Sequence, residues 1–165
     1  MKIIKKKLTT ENEDADFDGQ DKYLRKIAYW VGHFIFEFNA LEDTITRVAA
    51  EHIDGHLDKN EYAYIFLTGL TFNQKVELLE RYYNFHLGMY GNEHLDMKAE
   101  ADEIINQLKA IGKTRNIIVH ANYISLDKDG NIRDKTKFAG SEIEEYWVSI
   151  TRDLLVENIN FIIDL

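Results

Sequence analysis

Hydrophobic residues recur along most of the chain at the three- and four-residue spacing of amphipathic helices. The longest run covers 21–52 and predicts one long helix. Shorter runs predict a helix that begins after Thr71 or Asn73, a helix over about 93–122, and a last helix opened by a capping box at Ser141. In the third of these helices the positions expected to face inward are Met97, Ala101, Ile104, Leu108, Ile111 and Ile118.

The connections between these runs complete a mainly helical architecture. A short aromatic segment at 62–67 follows the first helix, and the turn at 127–130 indicates a small hairpin or an irregular insertion before the last helix. The pattern therefore predicts an all-α fold, an up-and-down bundle of four to five helices. Residues 1–20 are expected to form a charged N-terminal lead-in, and 21–165 a single helical domain.

Composition excludes several classes of protein. Cysteine is absent, which rules out disulfides and thiolate metal sites or nucleophiles. The chain has no run of about 18 apolar residues, and its first residues lack the apolar segment of a secretory signal, so no membrane span is predicted and the cytoplasm is the expected location.

The charge is unevenly distributed. The net charge is −9, which argues against a protein that coats nucleic acid over its whole surface. Between positions 109 and 137, however, seven basic residues face three acidic ones. This sector either focuses an anionic ligand or reflects the ordinary scatter of charges on a solvated surface.

Polar residues at helical spacing identify the candidate chemistry. Glu42 and Arg115 each interrupt an otherwise apolar stripe, where a charged group needs a partner. They are expected either to form a buried ion pair that serves the fold or to place the guanidinium for function. A second face of the Arg115 helix carries Lys109, Lys113, Asn116 and His120, which form either a solvated surface or an RNA-binding ridge.

Arg115, Asn116 and His120 together read R-N-x-x-x-H. This motif resembles the HEPN superfamily, whose members are helical bundles with an R-x4-6-H motif. The resemblance implies a metal-independent endoribonuclease or RNA-binding protein of a toxin–antitoxin or defence system, without a cofactor and with an antitoxin or other protein as partner. It also implies a homodimer whose two motifs share one cleft. From its place on the apolar stripe, Glu42 is expected to support Arg115 in this site.

The residue types suit metal-free RNA cleavage. An imidazole exchanges protons near neutral pH, and a fixed guanidinium stabilises the charge of a phosphorane-like transition state. Arg115 and His120 nevertheless point about 140° apart on a regular helix. Either the helix is distorted, or a second subunit supplies the complementary residue; the dimer is the preferred explanation.

Two other readings stay open. Glu77, Glu80, Glu93 and Asp96 are similar to the paired E-x-x-E and E-x-x-D carboxylates of the all-α nucleoside triphosphate pyrophosphatases of the MazG type, which hold Mg²⁺. These acids also fit an ordinary solvated surface. The other alternative is a non-catalytic helical module that binds a partner, with Arg115 and Glu42 serving the fold.

Overall fold

The structure is a computed structural model that describes residues 3–7, 17–54, 61–90, 95–126, 131–139 and 142–165. Five helices and four strands lie within these ranges. In chain order they are β1 (Ile3–Lys7), α1 (Phe17–Asp54), α2 (Glu61–Thr68), α3 (Phe72–Tyr90), α4 (Leu95–His120), β2 (Asn122–Leu126), β3 (Ile132–Ala139), β4 (Glu142–Val148) and α5 (Arg152–Asp164). Of the predicted lead-in at 1–20, residues 3–7 form β1 and the last four begin α1. Residues 1–2 and 8–16, the turn at 127–130 and Ser141 lie outside the described residues.

The mainly helical character of the prediction is confirmed. Helices α1, α3 and α4 match the three long periodic runs, and Thr71 caps α3 through a reciprocal pair of hydrogen bonds. The Thr71 hydroxyl accepts from the amide of Gln74 at 3.4 Å, and the Gln74 side chain accepts from the amide of Thr71 at 2.8 Å. None of the described helices is long and apolar enough to cross a lipid bilayer.

The all-α description needs correction, because the chain also forms a four-stranded antiparallel sheet in the order β1-β4-β3-β2. The predicted hairpin is present as β2 and β3. Neither β1 nor β4 was predicted. The proposed helix start at Ser141 is wrong, since Glu142–Val148 is strand β4 and the helix begins only at Arg152. Its cap is Thr151, whose hydroxyl accepts from the amide of Leu154 at 3.2 Å.

Strand β4 is stable as a strand because it has partners on both sides. Its backbone pairs with β1 and with β3, so its donors and acceptors are used in the sheet. Both oxygens of the buried Glu145 carboxylate also accept hydrogen bonds, from Arg133 at 3.0 Å and from the Trp147 indole at 3.2 Å. The pairing with β1 and the contact with Arg133 depend on residues that are distant in sequence, which a local capping pattern does not report.

The chain divides into two compact units, each with its own core. The first unit comprises Met1–Phe38 and Thr114–Leu165, and the second comprises Asn39–Lys113. Large buried side chains of the first unit are Ile27, Phe34, Phe38, Ile118, Ile132, Val148, Ile150, Leu155, Ile159 and Ile162. Those of the second unit are Leu41, Ile45, Leu67, Phe72, Val76, Leu79, Ile105, Leu108 and Ile111.

The apolar stripe of α4 differs in part from the prediction. Leu108, Ile111 and Ile118 are buried as expected. Met97 and Ile104 are exposed, and Ile105 is buried instead of its neighbour. The stripe therefore begins later along α4 than the sequence pattern indicated.

Gly112 permits a close approach between α3 and α4 in the second unit. A Cβ atom at this position would lie 2.9 Å from two ring carbons of Phe72, which is itself buried. A glycine inside a helix ordinarily weakens it, but here the missing side chain makes room for an aromatic ring. The packing requirement explains why α4 contains this glycine.

Replacing Gly112 by alanine is expected to lower the free energy of unfolding by about 1 kcal/mol, because overpacking against Phe72 outweighs the gain in helix propensity. Gly32 is the matched control, since it lies inside α1 with open space around the added methyl group. Gly32→Ala should raise the free energy of unfolding by about 0.5–1 kcal/mol. Urea denaturation measures both values, and stabilisation by Gly112→Ala would contradict the packing explanation.

Candidate functional site

Arg115 is held in a defined position near the end of α4. Its side chain is half-buried, and the guanidinium carbon lies 5.5 Å from the centre of the Phe38 ring. One terminal nitrogen donates to the side-chain oxygen of Asn116 at 3.2 Å. A cation–π contact of this kind holds a guanidinium near the ring without neutralising its charge.

The hydrogen bonding of Arg115 is incomplete within the described part of the chain. Its Nε atom is buried and has no hydrogen-bond partner there. A buried donor on a cation without an acceptor is unfavourable. The positive charge of Arg115 is not neutralised by a carboxylate of the described residues.

His120 is the last residue of α4 and is exposed, as is Asn116 one turn earlier. The helix stays regular up to this point, because the amide of Ala121 still donates to the carbonyl of Ile117 at 2.9 Å. With no distortion between them, Arg115 and His120 point about 140° apart around one copy of α4. A single chain thus presents the two groups in different directions.

The segment around His120 is braced by a half-buried tyrosine. The hydroxyl of Tyr123, in β2, donates to the carbonyl of Ile118 in α4 at 2.8 Å. Burial raises the pKa of Tyr123 to about 12, so the phenol remains a protonated donor over the neutral range. The bond fixes the start of β2 against the last turn of α4, on both sides of His120.

Glu42 has a partner that the sequence analysis missed. Its carboxylate accepts a hydrogen bond from Lys75 Nζ at 2.8 Å. The Lys75 side chain is only 5% exposed, whereas that of Glu42 is 27% exposed. The support of Arg115 by Glu42 stays a prediction. Lys75 follows Phe72 by three positions and so lies on the apolar stripe of α3. A charged residue at such a position indicates that its side chain has a buried partner.

The Glu42–Lys75 pair lies in an open polar cleft of about 200 Å³ within the second unit. Beside it, the exposed Tyr64 hydroxyl donates to Asp43 at 2.7 Å. This hydrogen bond to the carboxylate raises the pKa of Tyr64, because the phenol proton is held there. The cleft lies among α1, α2 and α3. Its charged groups already have hydrogen-bond partners within it, because Lys75 bonds to Glu42 and Tyr64 bonds to Asp43.

The predicted RNA-binding lysines differ in their surroundings. Lys109 donates to both carboxylate oxygens of Glu80 at 2.7 Å, so its charge is largely compensated. Lys113 is exposed to solvent. The structure therefore leaves Lys113 better placed than Lys109 for a phosphate contact.

The carboxylates of the alternative metal site are not assembled in the described residues. Glu80 is engaged by Lys109, and Glu77 and Asp96 are exposed on α3 and α4. Glu93 lies outside the described residues. Over the ranges that the structure describes, no group of three His, Asp or Glu side chains has the arrangement of a metal site.

Comparison with known proteins adds no relative from which a role can be transferred. No family model, curated protein or solved structure matches the chain. The resemblance to the HEPN superfamily depends on Arg115, Asn116 and His120. The chemistry of these residues and their geometry carry the functional interpretation.

Proposed function

We propose that the protein is a HEPN-like, metal-independent endoribonuclease that acts as a homodimer, of the kind found in toxin–antitoxin and defence systems. The observation that carries this proposal is the half-buried guanidinium of Arg115, which lies over the Phe38 ring and has no carboxylate partner among the described residues. Such a group is suited to a phosphate oxygen whose negative charge increases in the transition state.

His120 supplies the proton transfer in this proposal. The 2′-hydroxyl of the RNA attacks the adjacent phosphorus while the bond from phosphorus to the 5′-oxygen breaks. His120 takes the proton of the 2′-hydroxyl while water protonates the leaving 5′-oxygen, or protonated His120 protonates that oxygen while water takes the proton of the 2′-hydroxyl. Arg115 stabilises the additional charge on the phosphate. Asn116 holds one side of the Arg115 guanidinium and orients it.

A second subunit completes the proposed site. Because α4 is regular between Arg115 and His120, we place the Arg115 of one protomer opposite the His120 of its partner across a two-fold axis. An antitoxin that covers this cleft would block both groups together. A chain that sediments as a monomer at micromolar concentration would contradict the shared site.

The test of function uses the purified chain with labelled single-stranded RNA in the presence of EDTA. We expect cleavage that survives chelation and leaves cyclic phosphate ends. Mg²⁺-dependent release of pyrophosphate from a nucleoside triphosphate would instead favour the MazG-like alternative. RNA binding without either reaction would favour the non-catalytic module.

A further inference from the structure

The sheet brings lysine and tyrosine side chains from three strands to one face. In the strand register Lys5 pairs with Tyr146, and Tyr146 pairs with Lys135. Residues that pair across antiparallel strands point to the same side, and Lys137 follows Lys135 by two positions on that side. We call Lys5, Lys135, Lys137 and Tyr146 the lysine–tyrosine face.

Two of the lysines place their ammonium groups close to the ring of Tyr146. The Nζ atoms of Lys135 and Lys137 lie 5.5 Å and 5.6 Å from the centre of the Tyr146 ring. Contacts of this kind hold an ammonium group near the ring without cancelling its charge. The tyrosine hydroxyl is fixed as well, since it donates to Glu144 at 3.1 Å.

The charge that this face presents to solvent is positive. Glu144 pairs with Lys5 at 2.5 Å, and an oxygen of Asp134 lies 3.6 Å from Lys135 Nζ. These two carboxylates are only 14% and 7% exposed, whereas Lys5 and Lys135 are 56% and 49% exposed. The acids are thus largely below the surface and the ammonium groups above it, in a chain whose net charge is −9.

We propose that the lysine–tyrosine face binds single-stranded RNA, with phosphates on the lysines and a base stacked on Tyr146. Lys135 and Lys137 are separated by about 7 Å along β3, comparable with the distance between successive phosphates of an extended strand. Aromatic rings beside basic side chains are the usual elements of single-strand recognition. The choice of RNA over DNA rests on the proposed function.

The lysine–tyrosine face belongs to the sheet whose strand β2 follows His120 in the chain. Strand β2 begins at Asn122, two residues after His120, and Asn122 pairs with Arg133 on β3. Two strand spacings, about 10 Å, separate β2 from β4, which carries Tyr146.

Binding is measured by fluorescence anisotropy of a short labelled single-stranded RNA, with the full chain carrying His120→Ala so that cleavage does not interfere. We expect Lys135→Gln with Lys137→Gln to weaken binding about tenfold and to reduce the slope of log affinity against log salt by about 1.4. The matched control is Lys22→Gln with Lys26→Gln, which removes the same charge from the exposed surface of α1. The control should bind nearly as tightly as the parent.

Stacking is tested separately from charge. Tyr146→Leu should weaken binding about 5- to 150-fold, and Tyr146→Phe should retain most of the affinity because the ring remains. Circular dichroism identifies any variant that fails to fold, and the lysine and phenylalanine variants then still decide the question. Unchanged affinity in the lysine pair, or equal loss in its control, would overturn the proposal, as would equal competition by polyglutamate.

The outcomes separate this inference from the proposed function. If the wild-type chain does not cleave RNA but its binding still depends on Lys135, Lys137 and Tyr146, the nuclease proposal fails and the RNA-binding face stands. If the chain cleaves RNA in EDTA while those residues make no difference to affinity, the RNA-binding face is rejected and the nuclease proposal stands. Tighter binding of the matching DNA would reject RNA as the ligand.

Discussion

Replacing His120 by alanine is expected to reduce RNA cleavage in EDTA by about 100- to 10,000-fold, the usual contribution of a positioned general acid or base. His120 is exposed at the end of α4, so the change should leave the free energy of unfolding nearly unaffected. Asn106→Ala, at another exposed position of the same helix, is the matched control and should retain activity. Rates are compared under single-turnover conditions.

Together with a substitution of Arg115, His120→Ala also tests whether the site is shared between subunits. Arg115→Met keeps an apolar stem beside Phe38 but removes the charge, and it should be inactive on its own. Co-expressing the Arg115→Met chain with the His120→Ala chain gives mixed dimers in which one protomer supplies His120 and the other supplies Arg115. Cleavage well above that of either variant alone is expected for a shared site. Mixed dimers as inactive as their parents would place both groups within one chain and contradict the dimeric cleft.

The helices were predictable from sequence because their apolar residues repeat within the helix itself. The apolar periodicity of α1 is visible within the residues of that helix. Thr71 caps α3 through Gln74, which is only three positions away. Strands β1 and β4 lacked such local evidence. The register of Ile3 with Val148 joins positions at opposite ends of the sequence, and the acids of β4 resembled the first turn of a helix.

The candidate site was predictable to a similar extent. The residues of the R-N-x-x-x-H motif could be found by type and spacing, and the regularity of α4 agrees with the angular separation expected for Arg115 and His120. The partner of Glu42 could not be read from periodicity, since Lys75 lies on another helix. Likewise, only the strand register brings Tyr146 together with Lys135 and Lys5.

The Glu42–Lys75 pair is expected to show a strong asymmetry when either partner is removed. Glu42→Gln leaves the ammonium of Lys75, 5% exposed, without a carboxylate, and should lower the free energy of unfolding by about 3 kcal/mol. Lys75→Met leaves Glu42, 27% exposed, which water can still reach, and should cost about 1 kcal/mol. Combining both changes should recover most of the loss, to within about 1 kcal/mol of the parent. Urea denaturation measures all three variants.

The matched control is the exposed pair of Arg47 and Glu51 on the same helix, whose side chains are 61% and 47% exposed at a separation of 3.7 Å. Glu51→Gln should change the free energy of unfolding by less than about 0.5 kcal/mol, because solvent screens the pair. If Glu42→Gln lowered the free energy of unfolding no more than Glu51→Gln does, the burial of Lys75 would have no energetic consequence. RNA cleavage by the double variant then distinguishes the two roles of Glu42: activity that returns with stability assigns it to Lys75 and the fold, whereas a stable but inactive chain assigns it to Arg115.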